Sequence, residues 1–444
     1  MEIDAFTQNT IIELNNIFSS KIYIGKYTYI DTLYNKSIEI IKFIIKHFEV
    51  ISNKSIVLKE SKHTNLVISI LKNINLENIN VDKNNPIYEF IRKLKLDKIP
   101  LDEIEKFINF NNSEINNIIE FELPNVDKSI SDLLKIYSNN IISKFVPLNI
   151  QTDVLKNLKI HTKIVVKLGH IKLTFHFFSN TALDNNLVNI IIVKALYIIK
   201  LYNIDNIELT IRFFLSNIKK QIGLNDFLGR DEVNSGLTSF GLENTILIYR
   251  AEEIEKVLLH ELVHALNIDN LLMRELDSID KKIKCNFNIN NKNDINFFEA
   301  YTESIAFITN IISNSILSGI NYKILLENEL RFLILQCSKI LNFYNVKNID
   351  KFFCKQCCFG SNIKWTEKSS ILSYYFLKLG SVYNINHFIN TYMFSKTIHN
   401  NTYYEFIINN FNNIEFIYHY KFTPTLRMTL YDFKWDFTNY YLKI

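Results

Sequence analysis

The sequence has few cysteines and no long apolar run. Five cysteines, an odd number in a chain of 444 residues, do not make a disulfide framework, so we expect reduced thiols. The longest apolar run, residues 187–201, is interrupted by Lys194 and Lys200, whereas a membrane span needs about 18 or more uninterrupted apolar residues. The first eight residues carry two acids and lack the pattern of a secretion signal. These absences predict a soluble intracellular protein without a membrane span, located in the cytoplasm or, for a viral protein, in the host cytoplasm or the virion.

A strong excess of charge of one sign is also missing. The chain has 50 Lys and Arg against 46 Asp and Glu, and its net charge is +4. A protein that holds nucleic acid on a broad basic face needs a larger basic excess, so we expect no nucleic-acid partner. The apolar fraction of 48% excludes global disorder and allows a large core. Scarce Gly and Pro beside abundant Asn, Ile and Lys indicate AT-rich codons, as in a large DNA virus, a parasite or a Gram-positive bacterium.

The patterns of hydrophobicity divide the chain into three regions. Residues 1–146 predict a helical N-terminal region, with helices at 31–50 and 128–145, where apolar residues recur at helical spacing. This region shows no cluster of His, Cys or paired acids, and we interpret it as scaffold or partner-binding surface. Residues 147–270 predict a lobe of mixed strands and helices, and residues 271–444 a mainly helical C-terminal lobe.

The middle region predicts the order strand, strand, helix, strand, strand, helix. Its predicted strands are 158–167, 171–178, 207–215 and 245–249, and its predicted helices are 184–202 and one that begins near residue 251. The first two strands read as a hairpin around Gly169. Further helices are predicted at 297–317, 322–343 and 369–379. The fold class predicted from these elements is α+β.

The second helix of the middle region carries the pattern HExxH. His260 and His264 are four residues apart, so on a helix both imidazoles point from one face toward one metal ion. Glu261 follows the first histidine, where it can act as a general base on water activated by the metal. The alternative is a core helix whose histidines are satisfied by hydrogen bonds, but burying two histidines and a carboxylate together without a metal is costly.

A catalytic zinc site needs a third protein ligand. The pattern HExxHxxGxxH is excluded, because Asn267 and Asn270 occupy its Gly and third His positions. Glu299 on the next predicted helix is our third ligand, and Glu303, one turn further on the same face, is predicted to accept the second ring N–H of a ligand histidine. Two other acids remain as alternative third ligands, Asp269 and Asp277.

These residues resemble the gluzincin metallopeptidases, a family with HExxH on one helix and a ligand Glu within a pattern like E-A-x-x-[DE] on a later one. Four residues match the family's ligand and base positions: His260, Glu261, His264 and Glu299. Ala300 and Glu303 match the second and fifth positions of the E-A-x-x-[DE] pattern. The resemblance covers about fifty residues. Phe298 stands where the family usually has Asn, and the spacing from 264 to 299 is longer than in thermolysin-like members.

The resemblance implies a zincin-like fold, one Zn²⁺ per chain and hydrolysis of a peptide or protein substrate. It also implies a Tyr or His from the C-terminal lobe that stabilises the transition state; the candidates are Tyr374 and Tyr375, with His387 behind them. An edge strand near residues 234–239 would hold an extended substrate, although an ordinary turn explains that segment equally well. Arg250 is predicted either to hold a substrate carboxylate or to cap the sheet.

Two other functions are compatible with this sequence. The first is a zincin-fold structural, virion or binding protein without turnover, against which the presence of Glu261 counts, because metal binding alone does not need it. The second is a toxin-like metalloprotease that acts on host proteins. A further metal site at Cys354, Cys357 and Cys358 would be half of a zinc knuckle, and no second cysteine pair completes it.

Overall fold

The computed structural model describes the chain in several stretches. They are residues 2–18, 27–57, 146–147, 149–150, 153–154, 160–223, 226–239, 245–273, 276–289, 295–354, 365–418, 420 and 422–435. These residues form a mixed six-stranded sheet, a mainly helical C-terminal region and helices near the N-terminus. The predicted α+β class is therefore confirmed. Among the helices of these stretches, none is long and apolar enough to cross a membrane.

The strands form one large sheet and two small ones. In chain order the strands are β1 Glu2–Ile3, β2 Glu49–Val57, β3 Ile160–Leu168, β4 His170–Ser179, β5 Asn206–Ser216, β6 Leu228–Gly229, β7 Gly236–Ser239, β8 Thr245–Arg250, β9 Glu367–Lys368 and β10 Phe433–Lys434. The large sheet has the order β2-β3-β4-β5-β8-β7, and the small sheets are β1-β10 and β6-β9. Within the large sheet β4, β5 and β8 are parallel neighbours, and the other pairs are antiparallel.

The helices pack against this sheet and continue into the C-terminal region. They are α1 Ala5–Ile17, α2 Thr28–His47, α3 Asn185–Leu201, α4 Arg230–Val233, α5 Ile254–Ala265, α6 Leu276–Asn286, α7 Phe298–Ser318, α8 Tyr322–Phe343, α9 Ile349–Phe352, α10 Lys378–Tyr383, α11 Ile385–Phe388 and α12 Asn400–Phe411. A 3₁₀ turn spans Asp269–Leu272, and π-helical turns span Leu372–Leu377 and Ile389–Met393.

The middle of the sheet follows from the sequence pattern. Gly169 joins β3 to β4 with φ +62°, a left-handed conformation that glycine adopts without strain, so the two strands pair as a hairpin. The chain then crosses from β4 to the parallel β5 through α3, as a parallel connection requires. Helix α3 is apolar on nearly every side and lies buried in the core between the sheet and the helices.

Two strands, β1 and β2, depart from the mainly helical prediction in the described part of the N-terminal region. The helix predicted at 31–50 ends at His47, and β2 follows and pairs antiparallel with β3. The partner strand is more than a hundred residues further along the chain, and a pairing so distant leaves no local pattern to read. The helix predicted at 128–145 lies outside the described residues. The sheet thus takes a strand from residues 1–146, while the three region boundaries remain a prediction.

Two of the three described cysteines differ from the expected reduced state, and Cys357 and Cys358 lie outside the described residues. Cys285 and Cys354 are each disulfide-bonded, whereas Cys337 is buried with a free thiol. The backbone N–H of Cys354 donates to the carbonyl of Asn286 at 2.7 Å, so the end of α6 and the segment after α9 lie side by side. The odd number of cysteines misled the prediction because it gives no information on which segments the fold brings together.

Candidate metal centre

Helix α5 carries the two histidines of the HExxH pattern, and their side chains converge. All of its residues from Ile254 to Ala265 are buried, because it packs between the sheet, α3 and α7. His260 and His264 lie one turn apart, with ring centroids 4.7 Å from each other. Their Nε2 atoms are only 3.1 Å apart. The two imidazoles therefore converge through the same ring nitrogen, as two ligands of one ion do.

Glu299, in the first turn of α7, completes a group of three. Its Oε2 lies 3.3 Å from Nε2 of His260 and 3.4 Å from Nε2 of His264. This oxygen is buried and has no hydrogen-bond partner among the described residues. Although burial opposes its ionisation, the neighbouring histidines hold the pKa of Glu299 at about 2. Two imidazole nitrogens and an unpartnered carboxylate oxygen fit a divalent cation such as zinc.

Glu303 lies behind His260, on the side away from the three converging atoms. Its Oε1 is 2.8 Å from Nδ1 of His260. The same carboxylate contacts two buried lysines, Lys256 through Oε1 and Lys378 through Oε2, the latter at 3.1 Å. Burial opposes ionisation of Glu303, but the two ammonium groups hold its pKa well below the usual range. The contact at Nδ1 leaves Nε2 of His260 as the nitrogen that can bind a metal.

Asp269 lies behind His264 in the corresponding position. Its Oδ2 is 2.5 Å from Nδ1 of His264, and the hydroxyl of Thr302 donates to the same oxygen at 3.1 Å. Asp269 begins the 3₁₀ turn that follows α5, and it faces the ring nitrogen opposite to the one that Glu299 approaches. Of the three acids considered as third ligand, only Glu299 joins both histidines in the group; Asp277 is exposed on α6.

The carboxylate of Glu261 is held against the edge strand β7. The hydroxyl of Thr238 donates to its Oε2 at 2.8 Å. Gly236 lies so close that a Cβ at that position would be 2.7 Å from Oε1 of Glu261, closer than Cβ atoms approach their neighbours. Burial raises the pKa of Glu261. The glycine thus leaves the space that the carboxylate fills, and a group with a raised pKa suits proton transfer.

Arg250, at the end of β8, secures the segment before this edge strand. Its guanidinium is fully buried and donates to three backbone carbonyls, those of Asn234 and Ile218 at 2.9 Å and that of Asp231 at 2.6 Å. Of the two roles considered from the sequence, this geometry corresponds to capping the sheet. Its nitrogen atoms donate to backbone carbonyls, and Arg250 does not line the cleft that is described next.

A cleft of about 1030 Å³ opens in front of the three converging residues. Its walls include β7 on one side and residues 368–370 with Tyr374 on the other. The ring of Tyr374 lies 6.0 Å from that of His260, and burial, together with nearby carboxylates, raises its pKa so that the hydroxyl keeps its proton. The cleft thus borders the three converging atoms, the Glu261 carboxylate and a phenol.

The other two candidates for a stabilising residue lie elsewhere. The hydroxyl of Tyr375 donates to the carbonyl of Leu426 at 2.5 Å, and its ring is buried outside the cleft lining. His387 is exposed, and its ring packs on Phe406 with centroids 4.8 Å apart. Both residues therefore have structural contacts of their own, and among the three candidates Tyr374 alone borders the cleft.

Comparisons of the chain with protein-family models, with characterised proteins and with solved structures gave no match. The site must therefore be interpreted from its own geometry.

Several residues of the site were not recognised in the sequence. They are Gly236, Thr238, Lys256 and Lys378, and Asp269 was considered only as a ligand. One signal was available: Lys256, His260 and His264 recur every four residues and so share a helix face. The contacts of the others depend on strand and helix packing between distant parts of the chain.

Proposed function

We propose that this protein is a zinc-dependent metallopeptidase of the gluzincin type, with His260, His264 and Glu299 as the metal ligands. The observation that carries the proposal is the convergence of three donor atoms, each within 4.8 Å of the others, beside a buried glutamate in an open cleft. Zinc in such a site supplies a Lewis acid that polarises a carbonyl and makes water more acidic. The zincin-like fold belongs to the same proposal.

The chain's own residues divide the remaining work. Glu261 takes the proton from the attacking water and passes it to the leaving amine, which needs a carboxylate in a fixed position with a raised pKa. Thr238 and Gly236 fix that position from the edge strand. Tyr374 keeps its proton, so its hydroxyl can donate a hydrogen bond to the oxygen on which charge develops. The backbone of β7 offers an edge along which an extended peptide can pair.

The variant Glu261→Gln tests this proposal most directly. Gln has the same size but cannot accept the proton, so zinc content should stay near one equivalent while cleavage of a diverse peptide library falls by several orders of magnitude. A chelator should abolish cleavage by the wild type. Glu208→Gln is the matched control, because Glu208 is exposed on β5 and pairs only with Lys172 in the described surface; it should behave as wild type.

The same measurements separate the proposal from its rivals. Zinc at one equivalent without any cleavage by the wild type would indicate a metal-binding protein without turnover. Cleavage that survives Glu261→Gln would assign the general base to another residue. Loss of zinc in a His260→Ala, His264→Ala double variant is expected, and full zinc in that variant would place the metal elsewhere.

A further inference from the structure

Two buried lysines next to the metal centre have no part in the proposed reaction. Lys256 lies on α5 one turn before His260, and Lys378 begins α10. Their side chains are 2% and 0% exposed. Both ammonium groups contact Glu303, one at each carboxylate oxygen. Lysine is almost never fully buried without a partner, and two lysines on one carboxylate leave a positive charge in excess.

The nearby buried Glu253 is paired with Lys220, so the excess is compared with the charges of the centre itself. Four carboxylates meet at this centre: Glu261, Glu299, Glu303 and Asp269. A divalent cation contributes two positive charges and the two lysines contribute two more, so the loaded centre is formally neutral with both histidines uncharged. Without the lysines it would carry two negative charges. The lysines therefore compensate as much charge as the metal itself.

We propose that Lys256 and Lys378 are positioning residues that act through Glu303 and set the strength of zinc binding. They hold each oxygen of the carboxylate, which fixes Oε1 beside Nδ1 of His260. They also offset the negative charge that Glu303 would otherwise lend to the metal through the imidazole. Zinc would be bound less tightly as a result. This inference rests on the metal centre of the proposed function, not on peptide hydrolysis.

The proposal predicts the opposite of what a structural role predicts. If the lysines only support the fold, removing one loosens Glu303 and weakens zinc binding. If they offset charge, removing one strengthens zinc binding, because a cation is lost near the metal while Glu303 keeps its second lysine and its contact with His260. Lys378 suits this test, because it lies outside the metal-binding helix.

The experiment measures zinc affinity by competition with a chromophoric chelator. Lys378→Met should bind zinc more tightly than wild type, by roughly tenfold or more, the lower end of the effects that residues behind metal ligands have. Lys378→Arg keeps the charge and should bind zinc as wild type does. Lys194→Met is the matched control, because Lys194 is equally buried but contacts Glu255, Asn310 and Asn314, and not the carboxylate behind a ligand histidine; it should leave zinc affinity unchanged.

Unchanged or weaker zinc binding by Lys378→Met would overturn the proposal. If that variant does not fold, as judged by circular dichroism, Lys378→Gln keeps a hydrogen bond to Glu303 without the charge and carries the same expectation. Absence of zinc from the wild type would instead refute the metal centre of the proposed function. A wild type that binds zinc, with variants that bind it equally, would refute the role of the lysines alone.

Discussion

His260 and His264 each direct Nε2 toward Glu299 and Nδ1 toward another carboxylate, yet the surroundings of those two carboxylates differ. Glu303, behind His260, is held by two buried lysines. Asp269, behind His264, receives the hydroxyl of Thr302, and its Oδ1 has no hydrogen-bond partner among the described residues. The charge of Glu303 is thus exceeded by that of its two lysines, whereas Asp269 contacts only an imidazole and a hydroxyl.

The difference indicates that the two carboxylates share one task and diverge in a second one. Each fixes the orientation and the tautomer of an imidazole. The negative charge of Asp269 is not paired with a lysine or arginine among the described residues, whereas that of Glu303 is paired with two lysines. Substitution at the two positions should therefore change zinc affinity in similar ways and stability in very different ways.

The largest effect is expected from Glu303→Gln. It leaves the ammonium groups of Lys256 and Lys378 buried without a carboxylate, and breaking a buried pair in this way costs about 3–5 kcal/mol of unfolding free energy. Zinc affinity should also fall, roughly 10–100-fold. Chemical denaturation and chelator competition measure the two effects. Stability equal to that of wild type would show that the lysines do not need Glu303.

The next largest effect is expected from Gly236→Ala, which leaves Glu303 and Asp269 unchanged and displaces Glu261, the proposed general base. In Gly236→Ala the new methyl group meets the carboxylate of Glu261. A displacement of about 1 Å costs roughly 100-fold in rate, so peptide cleavage should fall by that amount while zinc content stays at the wild-type value. Loss of zinc in this variant would show that the edge strand supports the metal ligands and not only the base.

A smaller effect is expected from Asp269→Asn. The amide oxygen of Asn still accepts from Nδ1 of His264, but the negative charge is gone, so zinc affinity should fall roughly tenfold. Stability should change by only about 1 kcal/mol, since no buried cation is left without its partner. A loss of stability as large as that of Glu303→Gln would remove the contrast between the two positions.

The smallest effect is expected from Thr302→Val. The change keeps the shape and removes the hydroxyl that donates to Asp269, a hydrogen bond worth about 0.5–1.5 kcal/mol. Zinc affinity should fall only a few-fold, because Asp269 still faces His264. Chelator competition against wild type decides this, and a loss as large as that of Asp269→Asn would mean that the hydroxyl alone keeps the carboxylate in position.

The converging residues could be predicted from the sequence because they obey helical spacing. His260 and His264, and likewise Glu299 and Glu303, are four residues apart on helices whose apolar neighbours mark them as buried. The distance between the two helices in space could not be derived from this pattern. It was supplied by the resemblance to gluzincins, and the roles assigned to these residues remain predictions.

The choice between Tyr374 and Tyr375 could not be made from the sequence for a physical reason. Both belong to the π-helical turn Leu372–Leu377, whose wider winding shifts side chains away from the faces that a 3.6-residue period predicts. The position of Asp269 behind His264 could not be derived for a similar reason. The chain leaves the α-helix there and enters a 3₁₀ turn, which places the carboxylate behind His264 and not beside Glu299.

The start of α5 depends on a part of the chain that is translated much later. Glu253, which precedes the helix with φ +60°, accepts the backbone N–H of Met428 across 175 residues and that of Thr429 next to it. The indole of Trp435 donates to Glu255 in the same way. While a ribosome is still making the preceding residues, these buried carboxylates have no such donors. The helix that carries the HExxH pattern therefore acquires its final surroundings after translation has passed residue 435, and we expect metal loading to follow chain synthesis rather than accompany it.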